Sequence, residues 1–167
     1  MTARADADRE LLLRLDERIR PLRVTHPDVT YDARPAAARP AAWADTDQVK
    51  GILTNLLENA AEAARPGGVV LSVTGTYDQK VAVEVHDSGR GLSPDAQRNL
   101  FEPSISFKKH GMGLGLAISR KNALVAGGDL ELIEGRLGGA GFRVLLPVAP
   151  GVRPGEGRGQ ARRRRES

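Results

Sequence analysis

Three stretches of the chain place apolar residues three or four positions apart, which is the spacing of one face of an α-helix. The first covers residues 8–20, and we expect Pro21 to end it. The second covers residues 45–64, where Asp45 or Thr46 can cap the start. The third covers residues 115–125, before a pair of glycines that can end it. The apolar stripe of the second helix consists of Val49, Ile52, Leu53, Leu56, Leu57, Ala60 and Ala64.

The remaining apolar runs have the character of β-strands. Residues 29–35 alternate like a short strand, and two β-rich runs at 69–77 and 80–86 flank a turn at Asp78 and Gln79. DLELIEG and FRVLLPV are two further strands, and SPDAQRNLFEP indicates a loop with a short helix. RPAAARPAAW is a Pro/Ala-rich connection. This order predicts an α/β two-layer sandwich, in which helices cover one face of a mixed, mostly antiparallel sheet.

Composition restricts the class of protein. The 167 residues fit one domain large enough to bury a core, and with six aromatic residues (one Trp, two Tyr and three Phe) the core must consist of Leu, Val, Ile and Ala. The absence of cysteine excludes disulfides and thiolate metal sites. No apolar run reaches the ~18 residues of a membrane span, and the N-terminus lacks a signal-peptide core. We therefore expect a soluble chain in the cytoplasm.

The net charge of +4 belongs to the C-terminus. Residues 152–167 hold six Arg and two Glu, and the rest of the chain holds nineteen basic and nineteen acidic residues. The Gly, Pro and Arg content of this end is typical of a disordered, solvated tail, and contact of the arginine run with nucleic acid or acidic lipid is the alternative. We therefore predict a domain over residues 1–150 and a disordered Arg-rich tail over residues 151–167, and we expect no nucleic-acid partner.

The second helix carries two asparagines on one side. Asn55 and Asn59 are four residues apart and share a face, with Glu62 one turn further along. Asparagine is a poor choice within a helix unless its side chain has a role. Its amide oxygen is a hard, neutral ligand that suits Mg²⁺, an ion that takes few protein ligands and keeps several waters. A polar helix face is the alternative interpretation.

A carboxylate stands at the end of a strand in the sequence VAVEVHDSGRG. Asp87 ends the strand, and its carboxylate can accept a hydrogen bond from an exocyclic amine. Gly89 and Gly91 allow the backbone to pass close to a flat base or to adopt a positive φ. A hairpin turn is the alternative for this short motif.

A second glycine cluster leads into the third helix in the sequence KKHGMGLGLAIS. Gly111, Gly113 and Gly115 precede or open that helix, and exposed backbone N–H groups at a helix start bind anions. Lys108, Lys109 and His110 lie just upstream, where they can meet phosphate oxygens. The spacing is neither that of a P-loop nor that of a Rossmann fingerprint. A flexible glycine hinge is the alternative.

Taken in order, these motifs resemble those of a known family. NLLENAAEA, DSGRG, LFEP, GMGLGLAIS and GGAGFRVLLP resemble the N box, first glycine box, F box, second glycine box and closing strand of the ATP-binding domain of bacterial sensor histidine kinases. That domain belongs to the gyrase, Hsp90, histidine kinase and MutL superfamily and has the Bergerat-type ATP-binding fold. The resemblance covers roughly residues 11–147 and is greatest to nitrogen-regulation and oxygen-sensing kinases.

The resemblance implies a role for each motif. Asp87 would bind the adenine amine of ATP, and Asn59 would be a ligand of Mg²⁺ with Asn55 near the phosphates. Residues 92–110 would be an ATP lid anchored by Phe101. The implied catalytic residues are Asn55, Asn59 and Lys108, the last for the γ-phosphate. The implied ATP-binding residues are Asp87, Gly89, Gly91, Leu92, Lys109, His110, Gly111, Met112, Gly113, Leu114, Gly115 and Leu116.

In this family the phosphoacceptor is a histidine on a separate helical dimerisation domain, and a response regulator then takes the phosphoryl group. None of the three histidines here, His26, His86 and His110, lies in such an acceptor helix. The chain is therefore expected to be the catalytic part of a sensor kinase, with a kinase that acts on a histidine in trans as the alternative. The sensor can be a membrane-bound protein, of which this chain would be a cytoplasmic part. Because the dimer interface of the family lies in the acceptor domain, we expect a monomer.

Three other functions stay open. An anti-sigma-factor-type serine kinase or an ATP-hydrolysing clamp typically has a glutamate base four residues before the metal asparagine, a position that Asn55 occupies here. A degenerate nucleotide sensor would fit the altered lid, in which Phe107 replaces a hydroxyl residue beside Lys108. The retained Asn59, Asp87 and Lys108 count against that last alternative.

Overall fold

The computed structural model describes residues 7–34, 42–64, 66–102 and 112–148, without the side chains of residues 7–14 and 112–114. The helices are α1 (Ala7–Thr25), α2 (Thr46–Ala64), α3 (Pro94–Arg98) and α4 (Met112–Val125). The strands are β1 (Thr30–Arg34), β2 (Val69–Tyr77), β3 (Lys80–Asp87), β4 (Asp129–Ile133) and β5 (Gly141–Leu146). Within these ranges, no helix is long and apolar enough to cross a membrane.

The five strands form one mixed sheet, in the order β1-β2-β3-β5-β4. β1 is parallel to β2, and the other three neighbouring pairs are antiparallel. Asp78 and Gln79 join β2 to β3 with φ values of 49° and 60°, as a two-residue hairpin turn of type I′ requires. Helix α2 lies against β2 and β3, α4 lies against β4 and β5, and α1 packs on α2. The predicted α/β sandwich is confirmed.

Helix α2 is held in place by a cap and by a buried stripe. Asp45 Oδ1 accepts hydrogen bonds from the N–H groups of Asp47 (2.9 Å) and Gln48 (3.1 Å), which confirms Asp45 as the cap. Each Leu or Ile that the stripe buries contributes about 1.5–3 kcal/mol, and this burial fixes the rotation of the helix about its axis. The predicted apolar stripe is buried at every position: Val49, Ile52, Leu53, Leu56, Leu57, Ala60 and Ala64.

The prediction that Pro21 ends the first helix is wrong, because α1 continues to Thr25 with Pro21 inside it. The ring removes one backbone donor from the helix. Beyond it, Leu22 continues the buried stripe of Leu15 and Ile19 at 5% exposure, and its carbonyl accepts hydrogen bonds from the His26 N–H and from Tyr31 Oη. Burial on the core side offsets the missing helical hydrogen bond.

The start of the third predicted helix also differs. Helix α4 begins at Met112 instead of residue 115, so Gly113 and Gly115 lie in its first turns and not in a loop. Its end is as predicted, because Gly127 has a φ of 90° and the Gly128 N–H donates to Ala123 O at 2.9 Å. The Pro/Ala connection at residues 35–41 and the Arg-rich end at residues 151–167 lie outside the described residues.

Strand β3 positions the residues of the candidate site by its alternation. Val81, Val83 and Val85 face the helices and are almost completely buried. Since successive side chains of a strand point to opposite faces, Asp87 lies at the end of this helix-facing row. Glu84 and His86 belong to the other face of the sheet.

Candidate functional site

Asp87 is a buried carboxylate held by two backbone segments. Its residue exposure is 4%, and its Oδ1 accepts hydrogen bonds from the N–H groups of Gly89 (2.9 Å) and Ala140 (3.4 Å). The Asp87 N–H in turn donates to Ala140 O at 3.0 Å. The loop between β4 and β5 therefore holds this carboxylate from one side, and the turn after β3 holds it from the other.

Burial raises the pKa of Asp87 above its ordinary value of 3.8. The hydrogen bonds that the Gly89 and Ala140 N–H groups donate to the carboxylate lower the pKa, but the effect of burial is larger. A carboxylate whose charge is only partly compensated within the protein favours a ligand that brings further hydrogen-bond donors to it.

The structure favours glycine at the two positions after Asp87 for different reasons. A Cβ at Gly89 would overlap the carbonyl oxygen of Ala63 and lie 2.9 Å from its carbon, so this residue allows the turn to touch the end of α2. Gly91 has a φ of 75°, which favours glycine. Both glycines are thus explained by the protein's own packing, and the predicted contact with a base stays a prediction.

An open cavity of about 370 Å³ borders this region. Gly139 and Ala140, which hold Asp87, form part of its wall, together with Leu92, a predicted ATP-binding residue. Leu92 is partly buried and packs against the hydrophobic core. The cavity wall therefore combines apolar side chains and a few polar groups with the backbone of the loop that bonds Asp87, which is a usual composition of a small-molecule site.

Asn55 connects α2 to the start of α4. Its Nδ2 donates to Ser119 Oγ at 3.1 Å, and a Cβ placed on Gly115 would overlap Asn55 Oδ1 and lie 2.9 Å from its Cγ. Gly115 is thus the position at which the amide of Asn55 fits against α4. Two residues predicted separately for the site, 60 positions apart in the sequence, meet here.

Asn59 lies one turn further along α2 and is 9% exposed. Its Nδ2 is buried and has no hydrogen-bond partner within the described part of the chain, which is costly for an amide unless a ligand completes the site. Glu58, the neighbouring acid, is exposed instead.

The residues present fit a magnesium ion that is bound mainly by a ligand and water. Among the described residues, no group of three or more His, Asp or Glu side chains is arranged to hold a metal. The side chain of Asn59 carries one neutral amide oxygen of the kind that Mg²⁺ accepts while keeping its waters. Its unbonded Nδ2 is a donor, which calls for an acceptor such as a phosphate oxygen and not for the metal. A site with one protein ligand leaves the other positions to phosphate oxygens and water.

Phe101 is held where the chain enters residues 103–111. It is partly buried against the core, and the Cζ atom of Arg120 lies 4.8 Å from the centre of its ring. Arg120 Nε also donates to Asp129 Oδ1 at 3.2 Å. The packing role predicted for Phe101 agrees with this position, and the guanidinium of α4 was not expected.

The other predicted residues fall into two groups. Lys108, Lys109, His110 and Gly111 lie outside the described residues, so the structure does not place them. Met112, Gly113 and Leu114 form the first turn of α4. Leu116 is 1% exposed in the hydrophobic core, so its side chain packs beneath the site.

Sequence reasoning did not identify Ser119, Gly139 and Ala140. Ser119 bonds Asn55, and the other two surround Asp87: a Cβ on Gly139 would overlap Asp87 Oδ1 and lie 2.7 Å from the Gly89 nitrogen. The GGAG sequence before β5 was the available signal for close backbone approach. Nothing in the sequence indicated that Asp87 would be what it approaches.

Residues 44–150 match the model of the HATPase_c family, described as histidine kinase-, DNA gyrase B- and HSP90-like ATPases. NtrY, a nitrogen regulation protein of Azorhizobium caulinodans, is 35% identical over 133 residues, or 75% of this chain and 17% of NtrY. NtrB of Rhizobium meliloti, a sensory histidine kinase/phosphatase, is 37% identical over 130 residues, or 68% of this chain and 34% of NtrB.

A solved structure of similar fold is that of full-length ShkA in complex with AMPPNP. It has a TM-score of 0.70 and 26% sequence identity, and the match covers 83% of this chain and 30% of ShkA. The chain thus spans about a third or less of the length of NtrY, NtrB and ShkA.

Proposed function

Because this chain belongs to the family of histidine kinase-, DNA gyrase B- and HSP90-like ATPases and is a catalytic domain of the histidine kinase type, we propose that it binds Mg²⁺-ATP and transfers the γ-phosphoryl group to a histidine on a separate helical domain. The observation that carries the proposal is the buried Asp87 carboxylate, which two backbone amides hold beside an open cavity.

Asp87 recognises the adenine of ATP in this proposal. Gly89 and Ala140 direct their N–H groups at Oδ1, which fixes the carboxylate so that it can accept a hydrogen bond from the exocyclic amine of the base. Leu92 supplies apolar surface at the same cavity. A base that lacks this amine would leave a buried carboxylate without its partner, which costs about 1–3 kcal/mol or more.

The phosphates lie toward the contact of α2 with α4. Asn59 holds Mg²⁺ through its amide oxygen, and Asn55, positioned by Ser119 and Gly115, contacts the phosphates or the waters of the metal. Bound Mg²⁺ neutralises charge on the phosphate oxygens. The first turn of α4 supplies backbone N–H groups. Lys108 contacts the γ-phosphate in the proposal, with Lys109, His110 and Gly111 beside it.

The transfer itself requires little of the protein besides position. An imidazole nitrogen forms a bond to the γ-phosphorus, the bond to the bridging oxygen breaks, and the electron pair leaves with ADP. An imidazole nitrogen has a free lone pair, so no strong base is needed. Asn55 stands where a serine kinase or ATP-hydrolysing clamp has glutamate and is bonded to Ser119, and the acid Glu58 is exposed. This arrangement favours a histidine, and not a hydroxyl group or water, as the acceptor of the phosphoryl group.

The partners are those of a two-component system. Since the matched region covers 17% of NtrY and 34% of NtrB, we propose that the phosphoacceptor helical domain belongs to the same longer protein. An aspartate on a response regulator is then the next acceptor. We further propose that residues 1–150 are a monomeric, cytoplasmic domain, because ATP is a cytoplasmic substrate, and that residues 151–167 are a disordered tail.

A phosphotransfer assay tests the proposal. The chain is incubated with γ-labelled ATP, Mg²⁺ and the helical phosphoacceptor domain of an NtrB-type kinase. We expect label on that domain that acid removes and alkali does not, as for phosphohistidine, and we expect its loss in Asn59→Ala. Acid-stable label would favour a serine kinase, and ATP binding without transfer in the presence of a functional acceptor would favour a nucleotide sensor.

A further inference from the structure

His86 is a fully buried histidine beside the candidate adenine carboxylate. Its relative exposure is 0%, although it points to the face of the sheet that the helices do not cover. A histidine is rarely buried this completely without fixed hydrogen-bond partners at both ring nitrogens. Its neighbours along the strand are Asp87 and, two positions earlier on the same face, Glu84.

The hydrogen bonds determine which form of the ring is present. The backbone N–H of Arg136 donates to Nδ1 at 3.2 Å, so Nδ1 carries no proton. Nε2 therefore carries the proton and donates to Glu84 Oε2, which lies at 3.0 Å. A ring with this tautomer connects the sheet to the backbone of the β4–β5 loop.

The ring has little freedom to move. Glu84 forms ion pairs with the side chains of Arg136 (3.0 Å) and Arg143 (3.0 Å), which hold the carboxylate that receives the Nε2 proton. On the neighbouring strand β5, a Cβ at Gly141, the residue paired with His86, would lie 2.7 Å from Nδ1. The β5 backbone therefore lies directly against the imidazole, and Gly141 provides the space for it.

The β4–β5 loop, which donates this hydrogen bond through the Arg136 N–H, is also the loop that holds Asp87. Arg136 lies in its first half, and Gly139 and Ala140 lie in its second half, only three and four residues later. Ala140 exchanges backbone hydrogen bonds with the main chain and side chain of Asp87. A shift of the loop at Arg136 would thus be transmitted to the amide that orients the carboxylate.

We propose that His86 is a positioning residue for nucleotide binding: through Nδ1 it fixes the β4–β5 loop at the Arg136 amide and thereby fixes the Ala140 amide on Asp87. The link to nucleotide rests on the proposed role of Asp87 in binding adenine. The link to the loop rests on the hydrogen bonds alone, and it can be measured without any nucleotide.

Two substitutions separate the two hydrogen bonds of the ring. In His86→Asn, the side-chain oxygen stands at the δ position and can still accept from the Arg136 amide, while the bond to Glu84 is lost. In His86→Gln, the side-chain nitrogen stands at the ε position and can still donate to Glu84, while the acceptor for Arg136 is lost. Each variant loses one buried hydrogen bond, so a purely structural role predicts similar effects for both.

The experiment measures amide hydrogen exchange at Ala140 in the nucleotide-free chain and calorimetric affinity for Mg²⁺-AMPPNP. We expect His86→Gln to speed exchange at Ala140 and to weaken binding about tenfold, as loss of one buried hydrogen bond predicts. We expect His86→Asn to remain within about twofold of the original chain in the exchange rate at Ala140 and in the affinity for Mg²⁺-AMPPNP. Arg136→Ala, which keeps the backbone amide, serves as a control and is expected to behave like His86→Asn.

Unchanged hydrogen exchange at Ala140 in His86→Gln would overturn the positioning role, whatever the affinity for nucleotide. Equal effects of His86→Gln and His86→Asn would overturn it as well. If either variant does not fold, Gly141→Ala replaces it, because its methyl group displaces the ring from the Arg136 amide and should likewise speed exchange. If the original chain binds no AMPPNP and His86→Gln still speeds exchange at Ala140, the positioning of the loop is supported and the proposed function is contradicted.

Discussion

Gly115→Ala should separate the stability of the fold from its affinity for nucleotide. The added methyl group would overlap the Oδ1 atom of Asn55 and approach its Cγ to 2.9 Å, so the Asn55 amide must turn away and release Ser119. Loss of that hydrogen bond costs about 0.5–1.5 kcal/mol, while Ala is favoured over Gly in a helix by up to ~1 kcal/mol. These effects nearly cancel, and we expect the free energy of unfolding to change by less than ~1 kcal/mol.

The affinity for nucleotide has no such compensation. A displaced Asn55 can no longer contact the phosphates or the waters of the metal, and loss of one such contact weakens binding about tenfold. Urea unfolding gives the stability, and calorimetric titration with Mg²⁺-AMPPNP gives the affinity. Gly51→Ala is the matched control: it is a glycine of α2 whose added Cβ would meet nothing within 4 Å, so it should stabilise the helix slightly and leave binding unchanged.

A double-mutant cycle checks the physical cause. If Gly115→Ala acts by moving Asn55, it should weaken binding by less than about twofold further when Asn55 is already Ala, because residues in contact are not additive. Unchanged affinity in the single variant Gly115→Ala would refute the reasoning, and so would full additivity of the two substitutions.

Three further predictions concern stability. Gly89→Ala should destabilise the fold by about 1–3 kcal/mol in urea unfolding, because its methyl group meets the backbone carbonyl of Ala63, which cannot rotate away. Although burial raises the pKa of Glu84, hydrogen bonds and nearby cations bring it below its ordinary 4.5. The charged Glu84 side chain therefore stabilises the fold fully above pH 4.5, and this stabilisation is lost as the pH falls through the lowered pKa of the folded state. Glu84→Gln should make the free energy of unfolding fall less steeply in acid than it does in the original chain. The same pH dependence in both chains would contradict this. Arg120→Ala, which removes the contact with Phe101, should cost no more than ~1 kcal/mol because this guanidinium is partly exposed.

The elements that could be predicted from the sequence are those decided by local pattern. The stripe of α2, the hairpin at Asp78 and Gln79 and the glycine end of α4 depend on residues that are close in sequence, and the structure confirms them. Pro21 was misjudged because the local cost of proline in a helix is visible, while the burial of Leu22 beyond it is a tertiary effect.

The contacts that complete the candidate site are long-range and have no local signature. Asn55 meets Ser119 across 64 positions, and the amide of Ala140 reaches Asp87 across 53. The motifs identified which residues belong to the site. The partners of those residues were decided by how α4 and the β4–β5 loop pack, which spacing alone does not encode.

The glycines likewise show that a motif identifies a position but not the group that it contacts. The sequence predicts room for a flat base or a positive φ at Gly89 and Gly91, and an anion-binding helix start at Gly115. In the structure, Gly89 makes room for α2, Gly91 adopts a positive φ, and Gly115 makes room for Asn55. The protein itself therefore supplies the groups that approach Gly89 and Gly115, Gly91 follows the predicted positive φ, and contact of these glycines with ATP stays a prediction.

The central claim is that this domain binds ATP through Asp87. Calorimetric titration of the chain and of Asp87→Asn with AMPPNP, with and without Mg²⁺, tests it most directly. Asparagine keeps the size of the side chain but removes the charge and one acceptor. We predict Mg²⁺-dependent binding by the original chain and at least tenfold weaker binding by Asp87→Asn, with both chains folded. Equal affinities, or no binding by the folded original chain, would contradict the account.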